Sequence, residues 1–210
     1  MTMSMSPILP VTGRMARRGP ARTPSRAIRM ADVIYLAEGP RVALRYISMR
    51  DFEELSGLHQ ESAQLLARWM PGGPLVAYED FERYMTRFDG PVHEGFLICR
   101  RDTGAIVGRA NVNNIIRGTH QSAMIGYSAY ASTLGRGYMT EGLGLLVGHA
   151  FGEMGLHRLE ANIQPDNAAS LRLIKRVGFQ REGYSPNFQF IDGAWRDHER
   201  WALTVEMTTA

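Results

Sequence analysis

The run Leu134-Gly135-Arg136-Gly137-Tyr138-Met139-Thr140-Glu141-Gly142 constrains this 210-residue chain more than any other segment. It follows a strand-like stretch, 120–130, and opens an amphipathic helix-like one, 138–154. A second strand-like stretch, 157–163, and a second helix-like one, 167–177, come next. Strand, helix, strand, helix implies parallel pairing of the two strands, because parallel neighbours need a crossover between them. The glycine turn carries a further consequence. Free main-chain N–H groups point outward at a helix N-terminus, and the helix dipole adds a partial positive charge there. The run is neither a Walker loop nor Gly-x-Gly-x-x-Gly. It is a shorter loop, suited to a pyrophosphate held by main-chain donors.

The rest of the chain supplies antiparallel strands. Residues 41–48 alternate apolar and polar side chains, which predicts a first strand. Residues 50–66 have helical spacing, Pro71-Gly72-Gly73-Pro74 breaks the chain, and 78–88 reads as a second short helix. Strands are expected at 93–100 and 105–113, with turns at Asp102-Thr103-Gly104 and Arg117-Gly118-Thr119. After Gly178 come strands 179–190 and 195–206, joined by an Asp192-Gly193 turn. The fold class is α/β (α+β): a mixed, mostly antiparallel sheet of about seven strands with helices on both faces.

Length and composition bound the function. The chain fits one domain, and no stretch approaches the roughly twenty apolar residues of a membrane span. Its one cysteine, Cys99, lies in an apolar run and reads as a buried thiol. The net charge of +3 misleads: residues 1–40 hold six arginines and two acids, a net of +4, which leaves −1 for the remaining 170 residues. A nucleic-acid role argued from charge would rest on that segment alone, and none is expected. Residues 1–40 read as a disordered Arg-rich extension and 41–206 as the folded domain. His149 and Glu153 have chelating i, i+4 spacing, but no third ligand accompanies them, and no metal is expected.

An ordered set of segments carries a resemblance. They are Leu66-Ala67-Arg68-Trp69-Met70-Pro71, Ile125-Gly126-Tyr127-Ser128, the 134–142 loop, His157-Arg158 and Pro165-Asp166-Asn167-Ala168-Ala169-Ser170. Gly178-Phe179-Gln180-Arg181-Glu182-Gly183-Tyr184 and Ile191-Asp192-Gly193-Ala194-Trp195-Arg196-Asp197-His198 complete it. With them, residues 41–206 resemble a GNAT-superfamily acetyltransferase of the RimJ/RimL type, which acetylates protein N-termini. The resemblance implies a sheet whose fourth and fifth strands, here 120–130 and 157–163, splay apart around the acyl-pantetheine arm of acetyl-CoA. It places the pyrophosphate on Leu134, Gly135, Arg136, Gly137, Tyr138 and Met139. Leu134 and Met139 depart from the family pattern, which has a polar and a small residue there.

The same resemblance assigns roles one residue at a time. Ala129 pairs with pantetheine like an added strand, and the backbone N–H of Tyr127 or a neighbour faces the thioester oxygen as an oxyanion hole. The Tyr127 side chain reads as packing. Asn167 lies on the pantetheine arm and is also a natural N-cap. The Ser170 hydroxyl lies near the sulfur as a candidate acid, or simply belongs to the first helical turn. Glu160, on a central strand, is a candidate base or a salt-bridge partner, because Gln189 stands where some relatives carry a glutamate. Trp69 lines the acceptor cleft or packs in the core.

The expected activity is acetyl transfer from acetyl-CoA to an amine, without a covalent enzyme intermediate. An N-terminal α-amine titrates near about 8 and a lysine near about 10.4, so an N-terminal acceptor needs only a weak base. A protein N-terminus, ribosomal proteins among them, is the leading acceptor. A small amine (polyamine, aminoglycoside or amino-acid-like toxin) is the alternative, and a non-catalytic acyl-CoA-binding sensor or partner-binding module is the alternative of another class. A cytoplasmic location, no membrane partner, and a monomer or homodimer are expected.

Overall fold

The computed structural model describes residues 33–70 and 75–208, and these build one sheet of eight strands. In chain order the strands are β1 (Ala37–Glu38), β2 (Val42–Tyr46), β3 (His93–Arg100), β4 (Ile106–Ile116), β5 (Ser122–Ala129), β6 (Arg158–Ile163), β7 (Gln180–Ile191) and β8 (Ala194–Thr204). The helices are α1 (Phe52–Glu61), α2 (Ala63–Ala67), α3 (Tyr78–Met85), α4 (Tyr138–Gly152), α5 (Ala168–Val177) and α6 (Val205–Thr208). The spatial order is β1-β2-β3-β4-β5-β6-β8-β7. Every neighbouring pair is antiparallel except β5 and β6, which the α4 crossover makes parallel.

Strand periodicity divides the core between the two faces. On β3, Phe96 and Ile98 pack with Leu143, Leu146 and Ala150 of α4, while Leu97 and Cys99 pack with Leu55 and Phe81 of the α1 to α3 layer. Cys99 is therefore a core thiol, and burial raises its pKa to about 11. Gly142 is where α4 presses on the sheet: a Cβ there would meet Ile98 at 2.5 Å. Helix α5 begins with Asn167 accepting the Ser170 N–H at 3.1 Å and ends at Gly178 in the left-handed conformation. The Asp192-Gly193 turn has both residues at positive φ, as a two-residue hairpin requires.

Several expectations change. The eighth strand is β1, inside the segment read as extension; the Leu36 N–H donates to the Leu44 carbonyl at 2.7 Å, so residues before 41 belong to this domain. Residues 1–32 and the expected Pro71–Pro74 break lie outside the described residues. The single helix expected at 50–66 is α1 and α2, broken at Ser62, whose hydroxyl accepts the Ala131 N–H at 2.9 Å. The last strand stops at Thr204 and passes into α6.

The site is created where β5 and β6 part. Their pairing runs from Ser122–Arg158 to Met124–Glu160 and then stops. Beyond Met124, β5 keeps its β4 partner, but among the described residues no strand pairs with its other edge. With β1 counted, the splayed strands are the fifth and sixth rather than the fourth and fifth.

Candidate active site

A cavity of about 1080 Å³ fills the splay and runs from one face of the sheet to the other. Alternation along β5 and β4 sorts its lining. Tyr127 and Ala129 stand opposite Ala110 and Gly108 and face α4 and α5. Gly126 and Ser128 stand opposite Asn111 and Arg109, which face the α1 to α3 layer.

On the α4 and α5 side lies the glycine loop. Gly135 and Gly137 have φ of 73° and 77°, a region that side chains with a Cβ resist. The N–H groups of residues 134–137 find no protein acceptor among the described residues. With the first N–H groups of α4, they form a donor cluster at a helix N-terminus. Leu134, Gly135, Gly137, Tyr138 and Met139 line the cavity, and the Arg136 side chain does not. Arg136 contributes its carbonyl, which accepts from Nη1 of Arg41 at 2.9 Å. Glu141 locks the same corner: its Oε1 accepts the Arg41 and Val42 N–H groups at 2.7 and 3.0 Å, and its Oε2 accepts Arg41 Nε at 2.9 Å. Burial alone would raise the Glu141 pKa, but these donors outweigh it and hold the carboxyl below its ordinary range.

The two departures from the family pattern have local explanations. Met139 folds back over Gly108 of β4; a Cβ on Gly108 would overlap the Met139 sulfur. The larger residue is accommodated because its neighbour has no side chain. Leu134 is half-exposed and lines the cavity mouth, an apolar surface beside the donor cluster.

The Tyr127 side chain does more than pack. Its Oη lies 2.7 Å from Oγ of Ser170, and both residues line the cavity. Burial pushes the Tyr127 hydroxyl up to about 12, although the bond to Ser170 works in the other direction. The Tyr127 hydroxyl is therefore protonated at neutral pH, and within the pair one hydroxyl donates while the other accepts. Asn167 caps α5 and also lines the cavity. Ala129 and Trp69 line it too, and Trp69 stacks under the Arg68 guanidinium at 4.5 Å instead of sinking into the core.

Glu160 is not brought to the site. Its Oε1 accepts Arg158 Nε at 2.8 Å, the same guanidinium binds Glu182, and Glu160 does not line the cavity. The structural reading of Glu160 as a salt-bridge partner holds. Gln189 does line the cavity. His149 packs edge-on to Phe96 at 5.6 Å between ring centroids.

The α1 to α3 side of the cavity contains residues that sequence reasoning missed. Tyr84 donates to Asn111 Oδ1 at 2.6 Å, and Arg109 lies over the Tyr84 ring at 4.6 Å. His198 is buried at 2% exposure and lines the same space. Burial lowers its pKa against the pull of the Arg196 carbonyl, so the ring is neutral at pH 7. Its Nδ1–H donates to that carbonyl at 3.0 Å, which leaves the Nε2 lone pair free to accept. Polar residues at every second position of an apolar strand, Arg109, Asn111 and Asn113, were the signal available for this face.

The family described as the acetyltransferase (GNAT) domain matches residues 41–180. The chain belongs to the GNAT acetyltransferase family. It is 30% identical over 177 residues to the ribosomal protein uS5-alanine N-acetyltransferase of Escherichia coli (strain K12), covering 79% of this chain and 88% of that one. It is 29% identical over 178 residues to the probable N-acetyltransferase YjcK of Bacillus subtilis (strain 168), covering 80% and 96%. Among solved structures it resembles Mycobacterium smegmatis RimJ in complex with CoA-disulfide, with a TM-score of 0.73 and 31% identity over 79% of this chain and 82% of that one. This GNAT protein is an N-acetyltransferase of the RimJ/RimL type. No helix among its described residues is long and apolar enough to cross a membrane. No cluster of three or more His, Cys, Asp or Glu suited to a metal occurs among them either.

Proposed function

We propose that this GNAT protein transfers the acetyl group of acetyl-CoA to the N-terminal α-amine of a protein. The observation that carries the reading is the Tyr127–Ser170 pair, set at the splay between a main-chain donor cluster on one face and an open polar chamber on the other. The donor cluster at 134–140 suits the pyrophosphate of CoA, and the unpaired edge of β5 suits the pantetheine arm. Bound acetyl-CoA supplies the activated acyl group. The chain supplies the rest. A main-chain N–H on the free edge of β5, at or beside Tyr127, stabilises negative charge developing on the acyl oxygen. As the amine bonds to the acyl carbon and the carbon–sulfur bond breaks, Ser170 Oγ–H protonates the sulfur and Tyr127 Oη–H replaces the serine proton. The proton lost by the amine passes to Nε2 of His198, directly or through water.

The acceptor assignment is supported by the relative that acts on an alanine of ribosomal protein uS5. It is also supported by charge. Among the described residues the cavity is lined by Arg83, Arg87, Arg109, Arg172 and Arg176 against a single carboxylate, Asp80, which Arg83 already holds at 2.9 Å. Such a wall repels polyamines and aminoglycosides.

Free-thiol release from acetyl-CoA, against a panel of N-terminal peptides, polyamines and aminoglycosides, tests the reading. Turnover with an Ala- or Ser-initiated peptide is expected, with the label on the α-amine by mass spectrometry. Turnover confined to polyamines or aminoglycosides, or CoA binding with no acceptor in the panel, would end it.

A further inference from the structure

Arg109 is a buried cation without a counter-ion. The residue is 6% exposed, and its Nη1 is sealed from water with no hydrogen-bond partner. Its Nη2 reaches only the Met70 sulfur, at 3.9 Å, which is a weak acceptor. Around it lie the face of Tyr84, whose hydroxyl is committed to Asn111, and the uncharged buried groups His59 and Tyr130, none of which is a counter-ion. Arg109 forms no ion pair with a carboxylate among the described residues. A buried guanidinium is tolerated when it is paired, and leaving one unpaired is strongly unfavourable. A partly buried arginine on β2 shows the contrast: Arg45 is held by both oxygens of Asp51, at 2.9 and 2.7 Å.

The position of Arg109 makes it an acceptor-facing group. It stands on β4 directly opposite Ser128, on the chamber side of the sheet, one residue from the level of Tyr127. Neighbouring strands lie about 4.8 Å apart, so its fork is within reach of the first side chains of a peptide whose terminal amine enters the splay. The Nη2 side of the guanidinium, which lines the cavity and holds only the Met70 thioether among the described residues, is the side a ligand carboxylate reaches, and that weak contact is the one it displaces. Arg87, on the same cavity and bonded to the uncharged Asn113, extends the positive field outward.

We infer that Arg109 is a specificity-determining residue that binds a carboxylate of the acceptor, selecting substrates with an acidic group within two or three residues of the reacting amine. The inference rests on the reading of this protein as an N-terminal acetyltransferase, and it names the class of N-terminus.

The experiment uses the full chain and pairs of peptides, identical except for Glu or Gln at position two or three after an N-terminal Ala. The wild type should favour one Glu peptide over its Gln partner by at least about tenfold in kcat/KM, mostly through KM. In Arg109→Gln that ratio should fall to near one, and Arg109→Lys should keep part of it. A wild-type ratio near one, or a ratio unchanged in Arg109→Gln, overturns the inference. A separate arm keeps it testable if no peptide is turned over, which would itself sink the N-terminal reading. Glutarate and glutaramide are titrated by calorimetry into the CoA-bound wild type and the Arg109→Lys and Arg109→Gln proteins. Glutarate binding that glutaramide does not match, and that Arg109→Gln loses, supports the carboxylate site; no preference for glutarate in the wild type overturns it.

Discussion

The hydroxyls of Tyr127 on β5 and Ser170 on α5 lie 2.7 Å apart across the splay, and neither residue's partner is visible from its own stretch of sequence. Position decides what this pair can do. Burial pushes Tyr127 up to about 12, so its hydroxyl keeps its proton at neutral pH, as the proposed relay requires. Removing the terminal donor in Ser170→Ala should lower kcat by about a hundredfold, the lower end of what a general acid contributes. Tyr127→Phe leaves Ser170 in place and should lower kcat by about tenfold. Steady-state kinetics with saturating acceptor reads both, with KM for acetyl-CoA changing little. A kcat within twofold of wild type in both variants would remove the pair from the mechanism.

What the sequence could and could not convey follows from how far each feature depends on distant residues. The ends of α5 are written locally, in Asn167 and Gly178, and the loop before α4 is written in Gly135 and Gly137. The parallel β5 and β6 follow from the helix between them. The role of the Tyr127 side chain depends on Ser170, 43 residues away, and on the splay that lets α5 approach. Glu160 looked free because its competitor Glu182 and their shared Arg158 meet only through the fold. The pairing of strand β1 is not legible in the sequence for a simpler reason: two residues are too short to show a period. Arg109 and His198 reach one chamber only because β4 and β8 present the same face of one sheet.

Glu141 joins the start of α4 to the start of β2, and through Arg41 it braces the Arg136 carbonyl. Replacing it with Ala strands two backbone N–H groups and frees the arginine. The expected cost is about 2 kcal/mol, which for a domain of this size lowers Tm by about 4–8 °C. KM for acetyl-CoA should rise as the loop loosens. The pH dependence has a defined sign. The folded pKa is depressed below the ordinary 4.5, so the stabilisation is complete above pH 4.5 and is lost as pH falls through the lower folded value. Thermal melts of wild type and Glu141→Ala should therefore converge at acid pH. A constant gap down to pH 3 would show that the carboxylate charge is not what matters.

Gly108 and Met139 form a size-complementary pair between β4 and the first turn of α4. Gly108→Ala forces the methionine off the strand and should destabilise the protein by about 1–3 kcal/mol, the usual cost of overpacking. Because Met139 also lines the cavity beside the donor cluster, KM for acetyl-CoA should rise with it. The second substitution is the test. Gly108→Ala with Met139→Ala should recover most of both losses, giving a coupling that distant, independent sites do not show. Additive losses in the double variant, by denaturant melts and by KM, would mean that Gly108 serves the backbone and not the methionine.

In the proposed mechanism His198 sets the acid limb of the pH profile. Its Nδ1–H is fixed on the Arg196 carbonyl, and its pKa is depressed by burial below the ordinary 6.5. As a proton acceptor it works only when neutral, so kcat/KM should fall as pH drops through that depressed value. A second, more alkaline limb belongs to the acceptor, whose α-amine titrates near about 8. In His198→Gln the ring nitrogen that accepts is gone, and the rate at pH 7 should fall by about ten- to a hundredfold. The acid limb assigned to the histidine should vanish while the limb near the amine pKa remains. That split separates a proton-accepting role from a packing role, because loss of the Phe188–His198 ring contact at 5.4 Å would lower the rate at every pH alike. A profile that drops uniformly and keeps both limbs would move His198 out of the chemistry and leave the amine to lose its proton to solvent.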